Sequence, residues 1–297
     1  MTSILTNAGA ISALRNLQTV NASLEKTNER IGTGLRVNSA ADNATYWKLA
    51  TTARSENAID EALRDSLGVG KALMGTVEAT MEATVTELQD LQTLLTTARQ
   101  AGTDRTSIQS EINGIVSRLV ALAATEPMDG VTLFTEDPAT NSDITYLTSV
   151  NHSATTSFGS ITVDTDKFIL TDDTTTNGIL NPGATTINSL SGTTISALTD
   201  ANAAATIDPY LGIVDGAIAA AISGAQEAGA ALSALESAEN YLNSMIDART
   251  VAIGDLVDAN MEQESTKLRA LQTQQQLAIE SLSIANSQSA SILGLFR

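Results

Sequence analysis

The chain has no cysteine, one histidine, one tryptophan and four prolines in 297 residues. Without cysteine there are no disulfides, thiolate metal sites or thiol nucleophiles. The single histidine, His152, leaves one candidate for a His-containing triad and none for a His-Glu-x-x-His zinc site. Aromatic residues make up 3% of the chain and hydrophobic residues 42%, a balance that favours long Ala/Leu helices over a core built on large rings. Cations are scarce too: 16 Lys plus Arg stand against 34 Asp plus Glu, a net charge of −18. That argues against nucleic-acid or anionic-membrane partners, because phosphate contact relies on clustered Lys and Arg. No unbroken apolar run approaches the roughly 20 residues that cross a bilayer, so no membrane span is expected. Met1–Val20 lacks the basic start and unbroken apolar run of a cleaved signal peptide.

What is present is unevenly placed. Residues 1–118 carry 11 basic and 13 acidic groups, and residues 249–297 carry 4 and 5. Between them, residues 119–248 hold Lys167 against 16 acids, a net of −15. All four prolines (Pro127, Pro138, Pro182, Pro209) fall in the same middle stretch. The chain therefore reads as two proline-free helical arms around an acidic, Thr/Ser/Asn/Gly-rich centre.

In the first arm, Ile4, Ala8, Ile11, Leu14, Leu17, Val20, Leu24, Ile31 and Leu35 recur at three- and four-residue steps, an apolar stripe on a helix. Ser39-Ala40-Ala41-Asp42 has capping-box spacing and predicts a second helix from about Ala40 towards Arg99. Ala101–Asp104 reads as a turn, and Ile108, Ile112, Ile115, Leu119 and Leu122 mark a third helix that ends before Pro127. Gly130–Phe134, Asp143–Leu147 and Ser160–Val163 have the alternation or β-branching of short strands, with turn signals at Asn177-Gly178 and Pro182-Gly183. Asp208-Pro209 predicts the next helix start, with Asp as N-cap and Pro in the first turn. The last arm places Val257, Met261, Leu268, Leu271, Ala278, Leu282, Ala285, Ile292 and Phe296 at heptad-like spacing, with Gln275 and Ser289 interrupting the seam. Stripes at both ends suggest that the termini pair with each other or with other copies.

Chemistry has little material to work with. His152 sits in a Thr/Ser/Asn stretch and reads as a loop residue. Asp164, Asp166, Asp172 and Asp173 lack the twelve-residue calcium loop with its closing Glu. No catalytic residue, metal or cofactor is expected.

Both ends carry a family pattern. Glu29-Arg30-Ile31-Gly32-Thr33-Gly34-Leu35-Arg36-Val37-Asn38-Ser39-Ala40-Ala41-Asp42-Asn43-Ala44 resembles the N-terminal signature of bacterial flagellins. Ile253–Glu262, Leu271-Gln272-Thr273-Gln274-Gln275-Gln276-Leu277 and Ile292–Arg297 resemble their C-terminus. The resemblance covers roughly the first 135 and last 90 residues and implies a mainly α fold: long helical hairpin or coiled-coil arms from both termini and a small β-containing module in the middle. It implies a terminal coiled-coil domain from 1–45 and 258–297, a helical-bundle domain from 46–135 and 206–257, and a small exposed strand and loop module over 136–205.

The function implied is a structural subunit that polymerises into the extracellular flagellar filament for swimming; a hook-filament junction protein with similar ends is the alternative. Expected assembly-seam residues are Leu17, Val20, Leu24, Ile31, Leu268, Leu271, Leu282 and Ile292. Expected partners are further copies of the chain and other flagellins, the flagellar type III export apparatus, an export chaperone, and hook-associated and cap proteins. Neither nucleic acid nor membrane is expected as a partner. Near-neutral arms suit dense packing, while the acidic centre should face water.

Two departures bear on recognition by hosts. Many flagellins carry a Leu-Gln-Arg-x-Arg-Glu-Leu stretch read by the animal Toll-like flagellin receptor. This chain has Leu88-Gln89-Asp90-Leu91-Gln92-Thr93-Leu94, which reverses a charge at Asp90. In the stretch that plant receptors read, Ala41 and Asn43 replace the usual Lys and Asp, and Tyr46-Trp47 replaces Gly-Leu. Recognition by either receptor is expected to be weak or absent.

Overall fold

The computed structural model describes residues 7–128, 131–135, 143–152, 156–171, 178–180, 187, 190 and 195–295, with the side chains at 151, 152, 156 and 288–295 outside it. Along the described residues run α1 (Ala8–Thr33), α2 (Ala44–Ala98), α3 (Arg105–Ala123), β1 (Ile144–His152), β2 (Thr156–Val163), α4 (Ala203–Val257) and α5 (Met261–Leu295). The mainly α class with a small strand module in the middle is the one read from the sequence. The chain divides into two compact units, Met1–Ala58 with Ile246–Arg297, and Ile59–Met245.

Two helices start elsewhere than their local signals suggest. Ser39–Asp42 is not a capping box: the Asp42 carboxylate accepts from the N–H groups of Asn38 and Ser39, folding this stretch into a turn. Asn43 then caps α2, its Oδ1 accepting from Thr45 and Tyr46 at 3.1 Å. Asp208-Pro209 does not open α4 either, because the helix begins at Ala203 and holds Pro209 inside it. Ala203 and Ile207 are both buried, and their burial outweighs the hydrogen bond that Pro209 cannot donate. Asp208 instead pairs with Arg99 at 2.6 Å.

In the Ile59–Met245 unit, α2 and α4 run antiparallel. Ion pairs Lys71–Glu239 (2.7 Å) and Arg99–Asp208, and the Gln92–Asp215 hydrogen bond, tie them along their length. Leu67, Met74, Met81, Leu88, Leu91 and Leu95 of α2 meet a face of α4 made largely of small residues, with Val214, Ala217, Ala221, Ala228 and Leu235 buried. Small against large lets the layers interdigitate closely. Ile112, Ile115, Val116 and Leu119 of α3 complete the core. Contrary to the expectation from the sequence, α4 also holds an 18-residue stretch apolar enough to cross a membrane by composition. Its alanines raise the mean hydropathy, and its buried face belongs to this bundle.

The central module uses the bundle as a platform. β1 and β2 form an antiparallel pair with a register irregularity between Leu147 and Ser149. Val131–Phe134 is not a strand: Val131 makes only an isolated bridge to Met128, while Leu133 and Phe134 turn into the core. Gly130, Asn177 and Pro182-Gly183 lie outside the described residues, as do Asp172 and Asp173. Phe134, from a bend, and Phe168, from the short 3-10 turn Thr165–Phe168, are the largest fully buried side chains among the described residues.

Two helical glycines make this docking close. A Cβ at Gly70 would stand 2.4 Å from the Tyr146 ring, and one at Gly224 would stand 2.7 Å from the Lys167 carbonyl oxygen. The Lys167 ammonium meanwhile pairs with Glu227 of α4 at 2.8 Å. A ring can swing aside, but a backbone carbonyl cannot. Gly224→Ala is therefore expected to destabilise this unit by about 1–3 kcal/mol. Gly212→Ala, with nothing within 4 Å, should stabilise the same helix by about 0.5–1 kcal/mol. Urea unfolding followed by circular dichroism checks both; equal midpoints for the two variants would sink the explanation.

Candidate assembly surface

The unit of Met1–Ala58 and Ile246–Arg297 contains the predicted seam residues. Asn7 caps α1, its Oδ1 accepting from the Ala10 N–H at 3.0 Å, and its amide donates to the Ala285 carbonyl of α5 at 2.9 Å. Gly34 ends α1 at φ 72°, a left-handed cap that glycine adopts without a Cβ clash. The chain then turns along the end of α4: Arg36 and Val37 donate to the Val257 carbonyl, and Ala259 donates back to the Gly34 carbonyl at 2.8 Å. Val37, Ala50, Ile253 and Val257 close a small apolar cluster there. Lys26, 2.9 Å from Asp42, holds that carboxyl at about 2, helped by the Asn38 and Ser39 N–H groups. Asn260 opens α5 by accepting from the Gln263 N–H, and Glu262 and Glu264 sit in its first turn, where the helix dipole favours negative charge.

α1 and α5 pack antiparallel. Their inward positions follow a strict alternation of three and four: Ala10, Ala13, Leu17, Val20, Leu24, Thr27 and Ile31 on α1, and Glu264, Leu268, Leu271, Gln275, Ala278, Leu282 and Ala285 on α5. This is a heptad seam. Three polar ties set its register, Asn7 to Ala285, Asn21 to Gln275 at 2.8 Å, and Arg30 to Glu264 at 3.0 Å. Gln275 thus interrupts the apolar stripe to make a register bond, the best-attested use of a polar residue in such a seam.

Seven of the eight expected seam residues take part in this one-chain seam: Leu17, Val20, Leu24, Ile31, Leu268, Leu271 and Leu282 are half-buried or buried. Ile292 lies on α5, its side chain outside the described residues. The N-terminal stripe read from the sequence splits in two, because Ala8, Ile11 and Leu14 are exposed while Ala10 and Ala13 face inward. A run of three- and four-residue steps drifts around the helix, and Ile11 and Leu14 lie one position past the true seam.

An apolar surface is left over. Ile11 and Leu14 of α1 and Leu277, Ile279 and Ile284 of α5 are 46–64% exposed. Each stands next to a seam position occupied by alanine: Ile11 after Ala10, Leu14 after Ala13, Leu277 and Ile279 on either side of Ala278, Ile284 before Ala285. That doubling of apolar residues around small seam residues was readable in the sequence and is the signal for a second face. Complete burial of such a side chain is worth about 1.5–3 kcal/mol. The acidic stretch behaves differently: among the described acids of 119–248 none is buried within the chain, and Asp164, Glu227 and Glu239 are the half-buried ones, each paired with a lysine.

A family model described as the bacterial flagellin N-terminal helical region matches residues 4–138, and one described as the C-terminal helical region matches residues 211–296. Flagellin C of Rhizobium meliloti (strain 1021) is 36% identical over 323 aligned residues, covering 100% of both chains. The flagellin of Brucella melitensis biotype 1 is 36% identical over 302, again with 100% of both chains covered. Flagellin A of the same Rhizobium strain is 30% identical over 395. These relatives are flagellins by name, so the hook-filament junction alternative is not favoured. With both terminal regions matched in order and relatives aligned from end to end, the chain belongs to the bacterial flagellin family and is a structural subunit of the extracellular flagellar filament.

Proposed function

We propose that the α1–α5 pair is the element through which copies of this chain polymerise. Leu17, Val20, Leu24, Ile31, Leu268, Leu271, Leu282 and Ile292 are its assembly-seam residues, and Ile11, Leu14, Leu277, Ile279 and Ile284 contact neighbouring copies. The exposed apolar set carries this reading, because one molecule leaves it in water although its own seam is satisfied. Unlike faces meeting head to tail do not close into a ring and so propagate as a filament. The terminal coiled coil then comprises 1–45 and 258–297, the bundle 46–135 and 206–257, and the outer module 136–205. The chain works by assembly and carries no catalytic function.

The test is a full-length Leu277→Asp, Ile284→Asp double variant. Its critical concentration for polymerisation, read by sedimentation, is expected to rise at least about tenfold, since two buried anions replace two buried apolar groups. An unchanged critical concentration would exclude the outward face.

Other partners follow from the same reading: the flagellar type III export apparatus, an export chaperone, hook-associated and cap proteins, and co-assembling flagellins. Activation of the animal flagellin receptor is weak or absent, supported by Asp90, exposed on α2 beside the Glu87–Arg118 pair. Receptor-reporter cells given purified monomer check it, and strong activation at ordinary concentration would sink the idea.

A further inference from the structure

A cleft in the Met1–Ala58 and Ile246–Arg297 unit is used neither by the α1–α5 seam nor by the exposed apolar face. It lies where α4 ends and α5 begins, has a volume of about 570 Å³, and its lining includes Arg36, Val251, Asp255, Asp258, Gln263 and Glu264. Asp255 is exposed and has no hydrogen bond or ion pair among the described residues. Glu264 is 8% exposed. Its Oε1 takes the Arg30 guanidinium at 3.0 Å, while its Oε2 is buried without a hydrogen-bond donor, the Lys267 ammonium standing 4.0 Å away. Asp255, Asp258 and Glu264 thus bring three carboxylates to one cleft, and a cation carrying several N–H groups is the complementary ligand. Val251, 67% exposed, adds an apolar contact to the same wall.

The complementary chemistry is on the chain itself. On α2 of this unit, Trp47, Thr51 and Arg54 share a helix face by their spacing of four and three, with Lys48 beside them. Trp47 is 38% exposed. Lys48 and Arg54 are exposed and unpaired among the described residues, and neither lines the cleft of its own chain. Most cations within the described residues are tied to acids; Lys48 and Arg54 are among the few that are not, and they flank an exposed tryptophan.

We propose that this α2 face of one copy docks at the Asp255–Asp258–Glu264 cleft of a second copy, Arg54 bringing its guanidinium to the carboxylates and Trp47 covering Val251. Arg suits the site because its planar fork gives several donors to carboxylates at once, and an aromatic neighbour is a common anchor at buried interface centres. The two surfaces differ, so the contact is head to tail and adds to the filament rather than closing a pair. The inference rests on the chain being a filament subunit and is independent of the α1–α5 outward face.

The experiment uses full-length Arg54→Glu and Asp255→Arg variants beside the wild-type chain, which fixes that conditions are polymerising. Each single variant is expected to raise the critical concentration about tenfold or more, because like charges then face each other across the contact. An equimolar mixture of the two should polymerise near the wild-type concentration, since each variant presents the other with opposite charge. Trp47, the chain's sole tryptophan, should shift its emission to the blue when the wild-type chain polymerises. The proposal is overturned if either variant assembles like wild type, if the mixture is as defective as its parts, or if Trp47 emission stays at its monomer wavelength.

Discussion

Chains lacking Met1–Gly34 or Glu262–Arg297 are expected to form no filaments while keeping most of their helical circular dichroism. The first deletion takes away all of α1 and the second nearly all of α5, so each removes one side of the heptad seam. The surviving helix then exposes its inward residues, Leu268, Leu271 and Leu282 in one case, Leu17, Val20 and Leu24 in the other. Most of a helix's stability in a protein comes from packing its apolar face, so the surviving helix frays and the outward residues lose the rigid frame that presents them. The buried core of Ile59–Met245 draws on α2, α3, α4 and the central module and on no residue of α1 or α5. Electron microscopy under polymerising conditions, paired with far-ultraviolet circular dichroism, reads both outcomes. Filaments of normal length from either truncation would refute the role given to the arms.

The second large effect concerns a single cation. Arg105→Ala is expected to destabilise the Ile59–Met245 unit by about 3 kcal/mol or more. Arg105 is 8% exposed and donates to three carbonyls: Ala98 at 2.9 Å, Gln100 at 3.0 Å and Leu198 at 3.4 Å. A fourth bond, at 2.8 Å, goes to the Asp200 carboxylate. Ala98 and Gln100 belong to the end of α2 and the turn after it, where helical carbonyls lack partners of their own. One guanidinium therefore caps α2, starts α3 and holds the chain leading into α4. The partly exposed Asp200 adds modestly, because solvent screens it; the carbonyls account for most of the loss. Arg105→Lys should recover only part, since an ammonium cannot reach three divergent acceptors with fixed geometry. Equilibrium unfolding decides, and an alanine variant within about 0.5 kcal/mol of wild type would show that water replaces the guanidinium freely.

Arg105 also shows where reading the sequence stops. A lone arginine at a helix start looks like surface, and only the three-dimensional turn brings three carbonyls to it. The seams were legible for the opposite reason: an apolar stripe such as Leu17–Val20–Leu24 or Leu268–Leu271 follows from helix geometry whatever covers it. Local cap signals were weaker guides. An Asx cap is worth about 1 kcal/mol, so Asp208 could not hold the helix start against the burial of Ala203 and Ile207, and Ser39 yielded to Asn43. The same limit explains Val131–Phe134, whose β-branched and aromatic residues serve the core without any pairing strand.

One property of α2 has a mechanical side. From Leu63 to Ala98 its buried positions, among them Leu67, Met74, Met81, Leu88 and Leu95, keep a period of 3.5 residues over five heptads. A straight helix drifts about 20° per heptad from such a stripe. The stripe stays on its partners only if the helices wind about one another with a left hand. Torsion in that sense tightens the bundle and torsion against it opens the seam, so each subunit resists being twisted in one direction more than in the other.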